Sequence, residues 1–306
     1  MVFKKLFLMG AVVVWLAAAQ TALAFDFNLK GSLGEGGHKT YVPPVSNPLF
    51  NETPYITTEL RPIWIRQGVP GTVAGLPVDG TIDVIALQAR VALTERLGFI
   101  ATKDGYANLD FDNTLTDDEG FVNIAFGFKY ALINRPEDEG ILTIGIEYEA
   151  PSGNLIEGTT GTRLQGGRSK GFLDFFVTGA KRFGKLGLQS NIGLNQAMDT
   201  DVDTSLFHAG AHADFEIHQR FFPFVEGNVY TVVNDANRTP PVLSTVEGAD
   251  LVNLGASNAG TVATVAGGFR YHLLEHILLG WSYEVPMSGR EDLFNWRSTL
   301  DMVIYY

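Results

Sequence analysis

Ile277-Leu278-Leu279-Gly280-Trp281-Ser282-Tyr283-Glu284-Val285 is the stretch whose reading decides the fold. Ile277, Leu279, Trp281, Tyr283 and Val285 make one face, and Leu278, Gly280, Ser282 and Glu284 make the other. Successive side chains of a strand point to opposite sides, so a period of two predicts a strand with one apolar face. The same pattern returns elsewhere. Val122, Ile124, Phe126, Phe128 and Tyr130 alternate with Asn123, Ala125, Gly127 and Lys129, and Leu142, Ile144, Ile146 and Tyr148 with Thr143, Gly145, Glu147 and Glu149. Phe207, Ala209, Ala211, Ala213, Phe215 and Ile217 alternate with His208, Gly210, His212, Asp214, Glu216 and His218.

Twelve such segments are predicted, at 55–66, 81–93, 97–106, 120–131, 140–150, 171–182, 186–196, 205–218, 222–232, 260–272, 276–285 and 295–306. Each is about ten residues long, enough for a tilted strand to cross a bilayer. Two are imperfect: Ile100 breaks the phase of the third, and Pro62 in the first cannot donate a ladder hydrogen bond. Long connections rich in Gly, Pro, Asn and Asp (67–80, 107–119, 151–170, 233–259) alternate with short ones at 94–96, 183–185, 219–221 and 273–275. The connections at 132–139 and 197–204 weaken that contrast.

The chain opens with Lys4 and Lys5, an apolar run from Leu6 to Leu16, and small residues ending in Ala22-Leu23-Ala24. This order predicts a secretory signal peptide over 1–24, with the mature chain starting at Phe25. Losing Lys4 and Lys5 takes the formal charge from −12 to −14. An acidic chain without a basic stripe does not suit nucleic acid. The absence of cysteine excludes a lipid anchor on a terminal Cys, thiolate metal sites and thiol catalysis.

Export, alternation and loop asymmetry together predict an all-β, transmembrane, antiparallel up-and-down barrel in the bacterial outer membrane, with both chain ends on the periplasmic side. The polar phase is then the lumen lining. It carries the acids Glu59, Glu147, Glu149, Asp174, Asp214, Glu216, Glu226, Glu284 and Asp301, and the bases Arg61, Arg90, Lys129, Arg182, Arg270 and Arg297. On the apolar phase, Tyr130, Tyr271 and Tyr306 are expected at one membrane interface and Trp64, Tyr148, Tyr283 and Trp296 at the other. A soluble barrel would not sort its aromatics to two rims. Leu300, Met302, Ile304 and Tyr306 alternate up to an aromatic terminus, the pattern that barrel-insertion machinery reads. Residues 55–306 are thus the barrel, and the Gly- and Pro-rich residues 25–54 either hang in the periplasm or plug the lumen.

Leu93-Thr94-Glu95-Arg96-Leu97-Gly98 at a tight turn, and Phe221-Phe222-Pro223-Phe224-Val225-Glu226 opening a strand, resemble outer-membrane transporter barrels of the phenol-degradation (meta-cleavage pathway) type. The resemblance spans Tyr55 to Tyr306 and implies a transport-type barrel with no catalytic residues.

His208, His212 and His218 share the polar phase, but strand residues four apart lie about 13 Å from each other, too far to converge on one metal. The outward serines, Ser190 and Ser298, have no outward histidine to form a Ser–His pair, and no nucleophile elbow occurs. No enzyme activity, cofactor or metal is expected. Asp110, Asp112, Asp117, Asp118 and Glu119, and the tip Asp199, Asp201 and Asp203, read as solvated loop charge; the alternative is divalent-ion bridges to lipopolysaccharide. Twelve strands at ~4.8 Å spacing and ~40° tilt give a backbone radius of roughly 12 Å. The reading is a passive channel for ions or small solutes; the alternative is a closed structural or surface-binding barrel acting through its outer loops.

Overall fold

A computed structural model describes residues 27–157, 162–163, 170–236, 246–255 and 260–306. The expected leader, 1–24 with its cleavage site, lies outside them. The wall is built from β1 (Glu59–Gly68), β2 (Gly80–Ala92), β3 (Leu97–Lys103), β4 (Ile124–Arg135), β5 (Gly140–Ala150), β6 (Phe172–Phe183), β7 (Leu186–Ala197), β8 (Ser205–Phe215), β9 (Phe221–Asn234), β10 (Thr261–Leu274), β11 (Ile277–Pro286) and β12 (Trp296–Tyr305). Neighbours in the chain pair antiparallel, and β1 pairs with β12 through Leu60–Ile304 and Trp64–Leu300. The sheet is closed, which removes its edges. Pairing along this closing ladder skips Arg61 and Pro62, the place where proline has no N–H to give.

The alternation read from sequence becomes inside and outside. On β7, Gly187, Gln189, Asn191, Gly193, Asn195 and Ala197 are buried, while Leu186, Leu188, Ser190 and Ile192 are exposed. The outer face displays Ile85, Leu87, Phe126, Phe128, Ile144, Ile146, Phe175 and Ile192. In water such a belt would cost about 25 cal/mol per Å²; against acyl chains it costs nothing, which is why the wall can be apolar outside and polar within.

Four places differ from the expectation. The stretch 107–119, expected as a loop, is mostly strand: Tyr106–Phe111 pairs with the first half of β2 and with Asp118–Phe121. Gly105 makes this possible. Its φ of +131° bends the strand, and a Cβ there would meet the Ile85 carbonyl oxygen at 2.4 Å, so the alternation resumes in the opposite phase with Ala107, Leu109 and Phe111 buried. Residues 55–58 belong to the inner segment, not to β1; Tyr55 and Ile56 are buried. The eighth strand stops at Phe215, so Glu216 and His218 lie in the turn. The Gln219-Arg220-Phe221 turn, read as the centre of a symmetric hairpin, predicts Asp214 opposite Glu226; the β8–β9 register instead sets His212 opposite Glu226 and Asp214 opposite Phe224.

Inside the barrel, apolar groups gather at both ends. At the long-loop end, Ile63, Ile65, Ile82, Val84, Leu109 and Phe111 of the wall pack with Leu251, Val252 and Leu254 of the loop between β9 and β10. At the short-turn end, Tyr41, Tyr55 and Ile56 pack with Ala131, Ile141, Leu278 and Val303. Between the two lies a belt of buried charge.

Candidate functional site: the barrel interior

Residues 28–58 thread the lumen before β1 begins. Apart from a 3-10 turn at Gly31–Leu33 they form no regular element, so their backbone polar groups need partners elsewhere. Four prolines lower the demand. A proline has no N–H, so Pro43, Pro44, Pro48 and Pro54 bring only carbonyls, and the wall supplies a donor to each. Arg270 Nε donates to Pro43 O at 2.8 Å, and the Arg61 and Arg270 guanidiniums both donate to Pro44 O at 2.8 Å. Gln88 donates to Pro48 O at 2.7 Å and Thr143 to Pro54 O at 2.6 Å.

Glu52 is the hub of the segment. Its carboxylate receives Arg90 Nε at 2.9 and 3.1 Å and Lys129 Nζ at 2.6 Å. Burial alone would raise its pKa, but Arg90 and Lys129 outweigh that and hold it at about 2. Lys129 also donates to the carbonyls of Thr53 (2.8 Å) and Tyr55 (2.6 Å). Glu59 takes Arg90 Nη1 at 3.0 Å and the Tyr41 hydroxyl at 2.7 Å. Burial and the Glu59 charge raise the Tyr41 phenol well above its usual range, so it stays a donor.

Two further anchors hold the segment. Asp301 pairs with Arg61 (Nε–Oδ2 2.6 Å) and Arg270 (Nη2–Oδ2 2.9 Å). Glu226 accepts the consecutive N–H groups of Val45 (2.9 Å) and Ser46 (2.7 Å) and contacts His212 Nδ1 at 2.7 Å. Asp214 pairs with Arg182. Gly210 lets the segment approach the wall, since a Cβ there would sit 1.8 Å from Asn51 Oδ1.

Toward the long-loop end, Arg297 reaches Asp250 of the inturned loop (Nη1–Oδ2 2.7 Å) and Gln67 Oε1 (2.9 Å from Nε), and lies over the Phe294 ring at 4.6 Å. Glu284 accepts from Asn228 at 2.8 Å and lies 3.7 Å from Arg297. Glu247 receives the Thr204 hydroxyl at 2.9 Å. On the remaining wall, Asp174 meets His208 at 2.9 Å, Glu147 takes the Thr102 hydroxyl at 2.6 Å, and Glu149 takes Lys103 at 2.9 Å.

Of the charged positions expected on the lumen side, all but Arg182 and Glu216 are buried inside the wall; Arg182 is half-buried, and Glu216 sits in the β8–β9 turn and lines a cavity of about 660 Å³ at the short-turn mouth. Sequence reading missed Glu52, Asp250 and Glu247, which lie in segments without alternation. His208 and His212 each face a carboxylate, and His218 is exposed in the turn. Among the aromatics, Tyr271 faces Phe221 at the start of β9, Tyr306 follows the end of β12, and Tyr130 faces Leu97 at the start of β3. Trp296 opens β12 and stacks with Tyr283 at 6.1 Å, and the Tyr148 hydroxyl donates to Lys170 O across a loop base. Trp64, expected at a rim, is the sixth of ten residues in β1.

No protein-family description matches the chain, and no curated protein matches it in sequence. Solved structures do. An outer-membrane channel from Pseudomonas putida F1 superposes with a TM-score of 0.60 at 11% identity, covering 87% of this chain and all of that one. The chain has the fold of a bacterial outer-membrane barrel. The NanC porin (TM-score 0.47, 10% identity, 81% of this chain and 99% of that one) and the translocator domain of the Neisseria meningitidis autotransporter NalP (0.45, 13%, 86% and 92%) are more distant.

Proposed function

We propose that this protein is an outer-membrane channel for ions or small solutes whose lumen is held nearly shut by its own residues 28–58. The observation that carries this reading is the buried belt of charge. Replacing buried ion pairs by packed apolar groups is commonly neutral or stabilising, so a barrel serving only as a scaffold gains nothing from a polar middle. A belt of side-chain hydrogen bonds around an irregular segment can be parted group by group, whereas a close-packed apolar core cannot. The resemblance of Leu93–Gly98 and Phe221–Glu226 to transporters of the phenol-degradation type points the same way.

In this reading the apolar outer face meets lipid, the long loops face the lipopolysaccharide, and the β12 terminus is read by the insertion machinery. Fractionation with mass spectrometry of the mature N-terminus tests the placement. Planar-bilayer recording tests the channel: brief, low-conductance openings are expected from the wild type. A wild type and a Glu52→Gln variant that are both silent would leave the closed, surface-acting barrel as the function.

A further inference from the structure

The plug does not meet the wall equally on all sides. The bases that hold it, Arg61, Arg90, Lys129 and Arg270, come from β1, β2, β4 and β10. The inward face of β7 is different, presenting Gly187, Gln189, Asn191, Gly193, Asn195 and Ala197 and no charge at all. Several buried polar atoms on β7 and β8 have no hydrogen-bond partner among the described residues: Gln189 Oε1, both Asn191 amide atoms and His208 Nδ1. Leaving such an atom unsatisfied costs about 1–3 kcal/mol, so these four, set close together on two paired strands, call for something that bonds to them.

The space is there. Gln189 and Asn191 line a cavity of about 10 Å³ against Pro44 and Asn51, and two cavities of about 20 Å³ each, sharing Asn195 and Phe50, continue toward the outer loops. About 10–15 Å³ holds one water when two to four polar partners surround it. His208 stands between the first cavity and the others. Its ring stacks on Phe50 at 4.4 Å, and it packs against Gly193, where a Cβ would lie 2.2 Å from Nε2.

We propose that the seam between the plug and the β6–β8 wall is the permeation path, an off-axis file of water molecules that admits small monovalent cations, with His208 at its narrowest point. The proposal rests on the channel reading above and names its route and permeant. The neutral amides replace hydration water without binding tightly. Asp174, whose partner is His208 and not an Arg or Lys, supplies the negative field that favours cations over anions.

The chain has no cysteine, so single thiols can be placed without background. Gln189→Cys and Asn191→Cys on the seam are compared with Ile65→Cys in the outer apolar cluster, each checked for folding by heat-dependent gel mobility. Silver ion in chloride-free buffer is the probe, being about the size of the proposed permeant. Thiols still free for maleimide after denaturation report its access, and bilayer current reports its position on the path. Silver should reach residues 189 and 191 at least about tenfold faster than residue 65, a difference of about 1.4 kcal/mol in access. It should also silence the Asn191→Cys current while leaving the wild type unaffected. Equal access at all three positions, or protection at both seam positions, would overturn the seam. Seam thiols that bind silver with the current unchanged would show that permeation runs elsewhere. A silent wild type with reactive seam thiols would sink the channel reading and leave the hydrated seam standing.

Discussion

Replacing Glu52 by glutamine keeps the side chain's size and removes its charge. Arg90 would keep Glu59, but Lys129 would be left with two backbone carbonyls and no carboxylate within reach. Removing one partner of a buried ion pair costs about 3–5 kcal/mol. If the seated and unseated states of the plug differ by that interaction, a loss of about 3 kcal/mol raises the unseated population more than a hundredfold, since each 1.4 kcal/mol is a factor of ten. The assay is opening frequency in planar bilayers, with Glu52→Gln measured against wild type. Acid should do the same to the wild type. A lowered carboxylate pKa contributes stability in full above about 4.5, and that contribution is lost as pH falls toward about 2. Openings should therefore be constant from pH 8 to pH 5 as far as this group is concerned, and rise below. Equal opening frequencies for the two proteins at neutral pH would refute the view that this ion cluster seats the plug.

Further outcomes follow from the other anchors. Gly210→Val should loosen the plug, because its Cβ meets Asn51 within 1.8 Å; more frequent openings in bilayers would show it. The double variant Asp214→Asn, Glu226→Gln should raise opening frequency more than it alters ion selectivity, since Glu226 holds Val45 and Ser46 and Asp214 is engaged by Arg182; reversal potentials across a salt gradient separate the two effects. Asp250→Asn should release the loop at 246–255 from Arg297, and protease added to intact cells should then cut there faster than in wild type. Tyr306→Asp should lower outer-membrane yield far more than a comparable change within 151–170, because the exposed Tyr306 side chain continues the outward apolar face of Leu300 and Ile304 on the strand that closes the ring against β1, and a carboxylate there would face the membrane.

What the sequence made legible is the wall. The segment 140–150 coincides with β5, and 186–196 falls one residue short of β7, because one strand's alternation is a local signal imposed by a lipid face and an inner face. Where a backbone kink resets the phase, as at Gly105, the local signal misleads and 107–119 reads as loop. The interior was much less legible. Val45 meets a carboxylate 181 residues away and Arg61 an aspartate 240 away, and no periodicity records such pairs. The prolines at 43, 44, 48 and 54 looked like linker composition, yet they suit a buried strand-free segment by removing donors that would otherwise lack partners. The charges on the polar phase were found, but their partners were not, because Glu52 and Asp250 lie in irregular chain.

The occupancy of the lumen also bears on how the molecule is made. Residues 28–58 lead directly into β1, and β1 is the strand whose pairing with β12 completes the ring. A finished cylinder would have to swallow this chain through a mouth whose wall carries Ala131, Ile141, Leu278 and Val303. It is simpler for the growing sheet to curl around it while still open, with Arg90, Lys129, Glu226 and Arg270 engaged before the last seam zips. Assembly then proceeds like casting around a core: the early chain is the former on which the later strands take their curvature, and it stays in place once the ring is shut.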